Sequence, residues 1–189
     1  MIASPATPAT PQIYLAGPDV FYPDAEARFQ HLESLCANRG LKGLRPSDDN
    51  VPERRAETAA TPYAVAARIC QDNIARLKSS DAVLAHMVPF RGQLEPDSGT
   101  VFEVGMAIAL GKPVAVYLPQ ADEDMATRIR AYYGEREDMG TPELRFDARY
   151  GMLIEDFGLP LNLMIACTTS IHTRPELALE RLAQVLAQP

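Results

Sequence analysis

Short unbroken runs of apolar residues alternate along this chain with longer stretches in which apolar residues recur at helical spacing. The runs QIYLAG, LKGL, DAVLAHMV and VAVYL have the length of buried strands and are bounded by turn-forming or polar residues. The stretch DAEARFQHLESLCANRG has a helical period and stops at Gly40. The pattern therefore predicts strands and helices in alternation.

Punctuating residues mark three further helices. Thr61 and Pro62 form an N-cap followed by proline at the first helical position, which predicts a helix to about Ser79. A second helix is expected near 100–110, closed by Gly111. The amphipathic stretch 175–187 predicts a third.

Strands that alternate with helices favour a parallel α/β sheet with helices on both faces, in a doubly wound order of the flavodoxin-like or Rossmann-like kind. With 189 residues, one domain over 12–189 is the simplest organisation. The Pro/Ala/Thr-rich residues 1–11 are expected to be a flexible tail, with no signal peptide.

Composition narrows the function. The chain is 47% hydrophobic and 23% charged and has a net charge of −7, which favours an ordinary globular protein and argues against a nucleic-acid partner. No apolar run is long enough to span a membrane, so a cytoplasmic location is expected. Three scattered cysteines are expected to be buried free thiols, and three scattered histidines show no metal-ligand spacing.

In a doubly wound fold, ligands bind beyond the carboxyl ends of the strands. The loops expected there are rich in carboxylates: Asp19, Asp24, Asp48, Asp49, Glu53, Glu95 and Asp97, with Glu103 just inside a helix. No glycine-rich phosphate motif is present, and Pro18 removes a backbone N–H after the first strand. A neutral, hydroxyl-rich ligand is therefore favoured.

Glu103 has two interpretations. Thr100 to Glu103 fits a capping box, in which the glutamate only caps the helix. Against this, the turn at Ser98 and Gly99 lets a ligand approach the backbone, and a carboxylate in the first turn stays ionised. An ionised, partly desolvated carboxylate is a competent nucleophile at an acetal-like carbon.

Four blocks taken together resemble the nucleoside 2-deoxyribosyltransferase family. They are IYLAGPDVF, RICQDNIARLKSSDAVLA, PDSGTVFEVGMAIALGKPV and FGLPLNLM, and they follow the family's order over most of the chain between residues 12 and 167. The resemblance implies a transferase that moves the 2-deoxyribosyl group between nucleobases in nucleoside salvage. It also implies that no cofactor is needed.

The resemblance assigns roles to individual residues. Glu103 would attack C1′ and hold a covalent deoxyribosyl intermediate, Tyr14 would orient Glu103, and Asp72 would exchange a proton with the base. Asp97 would bind the deoxyribose. The other expected substrate-binding residues are Asp19 and Phe21 at the base, Gly17, Ser98 and Gly99 in the flanking turns, and Asn162 and Met164.

In the family, residues matching Asn162 and Met164 enter a neighbouring subunit's site, which implies at least a homodimer with shared active sites. Two rival functions stay open: a hydrolase of deoxynucleosides or nucleoside 5′-monophosphates, and a non-catalytic nucleoside-binding module. Asp19 would repel a 5′-phosphate, which favours unphosphorylated substrates. The preference for purine or pyrimidine bases is also open. The segment 119–150 has three possible roles: a flap over the base, a subunit contact or a solvated helix and loop.

Overall fold

A computed structural model describes residues 9–46, 61–141 and 144–188. Its centre is a parallel sheet of five strands in the order β2-β1-β3-β4-β5. The strands are β1 (Gln12–Ala16), β2 (Lys42–Leu44), β3 (Ala82–His86), β4 (Val114–Tyr117) and β5 (Ser170–His172). The predicted flavodoxin-like order is confirmed, although β5 escaped the sequence analysis because three half-buried residues give no strand pattern.

The described helices are α1 (Ala25–Ala37), α2 (Pro62–Ser79), α3 (Ser98–Ala109), α4 (Met125–Tyr133), α5 (Leu163–Ala166) and α6 (Pro175–Leu186). A short 3₁₀ helix, Pro18–Phe21, follows β1. Thr61 caps α2 as predicted, since its hydroxyl accepts from the Ala64 amide. Gly111 takes the expected left-handed conformation (φ 69°) after α3.

Two cores pack on the two faces of the sheet, because successive side chains along a strand point to opposite sides. One core joins Ile13 and Leu84 to α1 and α6. The other joins Tyr14 and Val83 to α2, α3 and α5. The three central strands, β1, β3 and β4, thus contribute alternate residues to two different helical layers, as a doubly wound sheet requires.

The structure bears on two expectations from the sequence, the burial of the cysteines and the carboxylates expected at the ligand face. Cys36 is buried as predicted, but Cys70 and Cys167 are exposed. The carboxylates Asp48, Asp49 and Glu53 lie outside the described residues, so their expected place at the ligand face is not described. Among the residues that the structure describes, none belongs to a helix long and apolar enough to cross a membrane.

Candidate active site

The amino end of α3 forms the first part of the candidate site. Asp97 is the N-cap of this helix, and its Oδ2 accepts hydrogen bonds from the Thr100 amide (2.9 Å) and hydroxyl (3.1 Å). The helix thus begins at Ser98, two residues earlier than predicted, because an Asp precedes the Ser-Gly-Thr turn and caps more strongly than Thr. The predicted capping box at Thr100 is wrong.

Glu103 therefore lies in the second turn of α3, beyond the unpaired amides of the first turn. Its carboxylate reaches across to β1, where the Tyr14 hydroxyl donates to Oε1 at 2.6 Å. Tyr14 is 0% exposed and sits in the core shared with α3. A buried strand thus supplies a fixed donor that holds the carboxylate in place.

Both groups of this pair are harder to ionise than usual. Desolvation raises the pKa of Glu103, the Tyr14 hydrogen bond opposes the rise, and the charge of Asp97 adds to it, so that the pKa is raised to about 7. Burial, followed by the nearby negative charge of Glu103, raises the pKa of the Tyr14 phenol. Tyr14 therefore stays a neutral donor, and Glu103 changes charge near neutral pH.

Ser98 and Gly99 are exposed and occupy the first two positions of α3. A Cβ placed on Gly99 would come within 3.0 Å of Asp97 Oδ2. The glycine therefore leaves room for the capping carboxylate. The structure brings Asp97, Ser98, Gly99, Glu103 and Tyr14 together at one place, as the sequence analysis expected.

Asp19 has a different environment from the one expected. It is buried, and its two oxygens pair with His86 Nδ1 (2.8 Å) and Arg28 Nη1 (3.2 Å). Burial acts to raise its pKa, but the hydrogen bonds and charges of His86 and Arg28 outweigh burial and lower it. His86 also stacks on Tyr117, with ring centroids 4.4 Å apart.

This cluster lies on the α1 and α6 side of the sheet, whereas Tyr14 and Glu103 lie on the other side. Gly17 makes the cluster possible, since it has φ 155° and a Cβ there would lie 2.8 Å from His86 Cβ. Contact of Asp19 with a base stays a prediction. The contacts that the structure shows for Asp19 are internal ones.

Phe21 projects from the 3₁₀ helix after β1 and is 51% exposed. Its ring packs against Phe90, which follows β3, with centroids 5.4 Å apart. The guanidinium of Arg91 lies over both rings, 5.1 Å from the centroid of Phe21 and 4.6 Å from that of Phe90. The loops after two neighbouring strands therefore present a half-exposed aromatic surface.

Asp72 is an exposed residue in α2. It lies one helical turn before Arg76, whose charge acts on the Tyr14 phenol. Both side chains are exposed, and among the described residues Asp72 makes no hydrogen bond to Tyr14 or Glu103, so its role at the base stays a prediction.

Asn162 and Met164 are at the start of α5. The side-chain Oδ1 of Asn162 caps the helix by accepting from the Met164 amide (3.0 Å), and its Nδ2 donates to Glu155 (3.2 Å). Met164 is 69% exposed. Asn162 also lines a cavity of about 490 Å³, together with Glu95, Tyr133 and Tyr150. The structure shows no contact of these two residues with the Glu103 of the same chain.

The sequence analysis missed His86 and Arg28. His86 ends a buried strand and Arg28 lies on an amphipathic helix, so neither has a spacing that marks it. The sequence did contain one indication of a partner. Asp19 follows Gly17 and Pro18 at the end of a strand, and an aspartate that is buried there needs a hydrogen-bonding or charged partner.

Comparisons with known proteins indicate the family and the fold of the chain. The sequence profile described as Nucleoside 2-deoxyribosyltransferase matches residues 13–164. A solved 2-deoxyribosyltransferase from Leishmania mexicana is 31% identical, with a TM-score of 0.67 over 92% of this chain and 97% of that one. A conserved protein from Enterococcus faecalis shares the fold, with 18% identity, a TM-score of 0.57, and coverage of 94% of this chain and 99% of that one.

A curated relative from Schizosaccharomyces pombe, the uncharacterized protein C191.05c, is 31% identical over 105 residues. That stretch is 56% of this chain, and the chain spans about half the length of the relative (48%). The profile match covers most of the chain and includes both strand β1 with Tyr14 and helix α3 with Glu103. The chain belongs to the nucleoside 2-deoxyribosyltransferase family of transferase enzymes.

Proposed function

We propose that the chain exchanges the base of 2′-deoxyribonucleosides by a double displacement through a deoxyribosyl ester of Glu103, as an enzyme of nucleoside salvage in the cytoplasm. The observation that carries the proposal is the 2.6 Å hydrogen bond from the buried Tyr14 hydroxyl to Glu103. A carboxylate held by a fixed neutral donor in a desolvated place is suited to attack a sugar carbon.

In the first step, Glu103 attacks C1′ as the bond from C1′ to the base nitrogen breaks. Tyr14 donates to Oε1, and within the described residues no hydrogen bond engages Oε2, which leaves that oxygen for the attack. The base leaves with a proton that Asp72 supplies. In the second step, a nitrogen of the incoming base attacks C1′, the ester bond breaks, Glu103 is regenerated, and Asp72 takes back a proton.

Two displacements at one carbon retain the β-configuration, by the logic that governs retaining glycosidases. Asp97 stays close to this reaction, because its charge acts on the Glu103 carboxyl. One of its oxygens caps α3, and the carboxylate binds a sugar hydroxyl in the proposed complex. No step requires a cofactor.

The base lies against Phe21 in this proposal. The half-exposed ring is held by Phe90, so that it is fixed before the ligand arrives. Stacking on an aromatic ring is tolerant of base identity, since every nucleobase has a π-face. This arrangement fits a reaction in which two different bases occupy one position in turn.

The active site is completed by a second copy of the chain, whose Asn162 and Met164 contribute to it. Two features support this. Met164 is largely exposed, and α3 exposes the apolar side chain of Phe102, which adjoins Glu103 in the sequence. Exposed apolar side chains around a catalytic residue are typical of a surface that a partner covers.

One observation favours a second candidate function, hydrolysis of nucleoside 5′-monophosphates. The sequence argument against a 5′-phosphate relied on repulsion by Asp19. Arg28 and His86 pair with this carboxylate, so its charge is largely offset within the protein. The missing N–H of Pro18 is the remaining argument against a phosphate site after β1.

The test is to incubate the protein with 2′-deoxyinosine, with and without adenine, and to separate bases and nucleosides by chromatography. We expect 2′-deoxyadenosine only when adenine is present, and none with the Glu103→Ala protein. Release of hypoxanthine without 2′-deoxyadenosine, or faster release from 2′-deoxyinosine 5′-monophosphate, would establish the hydrolase instead. Binding without turnover of purine or pyrimidine donors would indicate a binding module.

Shared sites are tested by mixing two inactive variants. A mixed dimer of Glu103→Ala and Asn162→Ala chains contains one site with both residues intact. We expect the mixture to regain about a quarter of the wild-type activity, because half of the dimers are mixed and each has one intact site. Verified mixed dimers that remain inactive would contradict the shared arrangement.

A further inference from the structure

Arg128 in α4 is a buried cation whose hydrogen bonds are incomplete. It is 7% exposed, and its Nε and Nη1 are fully buried with no acceptor among the described residues. Only Nη2 is engaged, by the Pro160 carbonyl and the Met125 sulfur. Because an unpaired buried guanidinium group is costly, its position calls for an anionic partner.

Glu95 is an anion in the same part of the fold as Arg128. It lines the cavity of about 490 Å³ together with Met125 and Ile129, which lie three residues before and one residue after Arg128 in α4, and the charge of Arg128 acts on its carboxyl. Partial burial, the largest effect, raises the pKa of Glu95, Arg128 lowers it, and the charge of Glu155 raises it. The Glu95 side chain is still exposed, and in the described part of the chain no donor engages its carboxylate. A cation and an anion thus lie near each other without being paired.

These two residues join the segments that carry the candidate sugar-binding side chains. Glu95 is two residues before Asp97, and Pro160, which Arg128 binds, is two residues before Asn162. The Met125 amide at the start of α4 also donates to the Leu159 carbonyl (2.8 Å). Arg128 therefore lies between the segment that carries Asp97 of this chain's own site and the segment that carries Asn162, which the proposed dimer places in the neighbouring site.

The segment that carries Glu95 contains two consecutive residues with a positive φ. Arg91 and Gly92 have φ of 50° and 75°, and Arg91 has the only positive φ among the described residues other than glycine. Such a conformation is strained in arginine and is typical of switch segments. The backbone bonds Phe90 N to Glu95 O (3.1 Å) and Gln93 N to Phe90 O (3.0 Å) make 90–95 one compact turn.

We propose that Arg128 is a positioning residue for the transfer reaction, and that Glu95 pairs with its guanidinium group when the deoxyribonucleoside binds. The pairing fixes the Asp97 and Asn162 segments relative to each other. This inference rests on the proposed function. Because the ion pair persists through the reaction, it contributes equally to substrate and transition-state binding, and its loss raises KM without lowering kcat.

The test measures binding of 2′-deoxyinosine by calorimetry in a Glu103→Ala background, which prevents turnover. Glu95→Gln removes the charge of an exposed side chain and is expected to weaken binding about tenfold, as is usual for a lost charge-assisted hydrogen bond. Arg128→Met is expected to do the same, and the double variant to be no weaker than either single one. Glu123→Gln, which neutralises another exposed carboxylate near α4, is the matched control and leaves binding unchanged.

In the protein with Glu103 intact, Glu95→Gln is expected to raise KM about tenfold with kcat within about twofold. Unchanged binding and KM in Glu95→Gln would overturn the pairing, as would multiplicative effects of the two substitutions. If Arg128→Met fails to fold, Glu95→Gln alone decides. If the Glu103→Ala protein binds no deoxyribonucleoside and wild type exchanges no base, the proposed function itself is wrong.

Discussion

The half-buried carboxylate of Glu103 and the buried carboxylate of Asp19 lie on opposite faces of the same sheet and have opposite electrostatics. Glu103 meets a neutral phenol, and desolvation raises its pKa to about 7. Asp19 meets Arg28 and His86, and these partners lower its pKa despite burial. The comparison teaches that the partner, and not burial alone, decides whether a carboxylate is poised to react or fixed as a charge.

The largest effect is expected for Glu103→Gln. Loss of the nucleophile lowers kcat/KM by about 10⁴-fold, as for other covalent catalysts. The same substitution should increase the free energy of unfolding at pH values above 7. Glu103 has a folded pKa above its unfolded value, so its contribution is full below about pH 4.5 and is lost as pH rises through 7. At pH 8, neutral glutamine raises the free energy of unfolding by about 1 kcal/mol.

Urea unfolding at pH 8 and pH 5 measures this stability. The gain from Glu103→Gln should shrink at pH 5, where wild-type Glu103 is itself protonated. A loss of stability at pH 8 would mean that burial of the charge imposes no net cost on the folded protein.

Asp19→Asn should show the opposite pattern. It leaves the half-buried His86 without its anion and Arg28 with only the exposed Asp24, and it lowers the free energy of unfolding by about 2 kcal/mol at pH 7. Because the folded pKa is lowered, this stability is present above about pH 4 and is lost as pH falls through the folded value. Thermal unfolding at several pH values measures it.

The activity of Asp19→Asn protein that remains folded separates the two roles of Asp19. A structural ion pair predicts kcat within about threefold of wild type for adenine and hypoxanthine as acceptors. Unchanged stability together with a changed preference between these bases would instead establish contact with the base.

Tyr14→Phe removes the fixed donor but keeps the ring in the core. We expect kcat/KM to fall about thirtyfold, which corresponds to the loss of a hydrogen bond to a charged group. The hydrogen bond lowers the pKa of Glu103, so its removal moves the acid limb of the pH–kcat/KM profile above 7. An acid limb at an unchanged pH would place the titrating group elsewhere.

The smallest effect is expected for Asp97→Asn. Asparagine caps helices as well as aspartate does, so the free energy of unfolding should stay within about 0.5 kcal/mol. Removal of the charge lowers the pKa of Glu103 and moves the acid limb below 7. A tenfold rise in KM without loss of stability supports sugar binding. A destabilised protein with normal KM would restrict Asp97 to the cap.

The sequence predicted β1 to β4, the four longest described helices and a flavodoxin-like strand order, because β1, β3 and β4 are unbroken apolar runs and α2 has a strong cap. It also put forward Glu103 and Tyr14 as site residues, by resemblance to a family. The helix start at Asp97 was missed because two adjacent caps competed for the same helix. His86 was missed because its partner Asp19 is 67 residues away, a distance that local patterns do not span.

The contacts of the 119–150 segment were also not predictable from local sequence patterns. The structure places α4 there and joins its Tyr132 hydroxyl to the Gly92 carbonyl (3.0 Å). The segment thus packs on the loop that leads to Asp97 and forms one wall of the cavity with Glu95. Its charged composition gave no sign of this, because the contacts are made by backbone carbonyls and buried faces of a short helix.

The position of Tyr14 in the sheet has a consequence for the lifetime of the site. β1 is paired on both sides, with Tyr14 opposite Leu44 of β2 and Val83 of β3. Its amide should therefore exchange with solvent deuterium only when the whole domain unfolds. The hydroxyl that holds Glu103 is thus attached to the slowest-exchanging part of the chain, and heat inactivation should coincide with global unfolding.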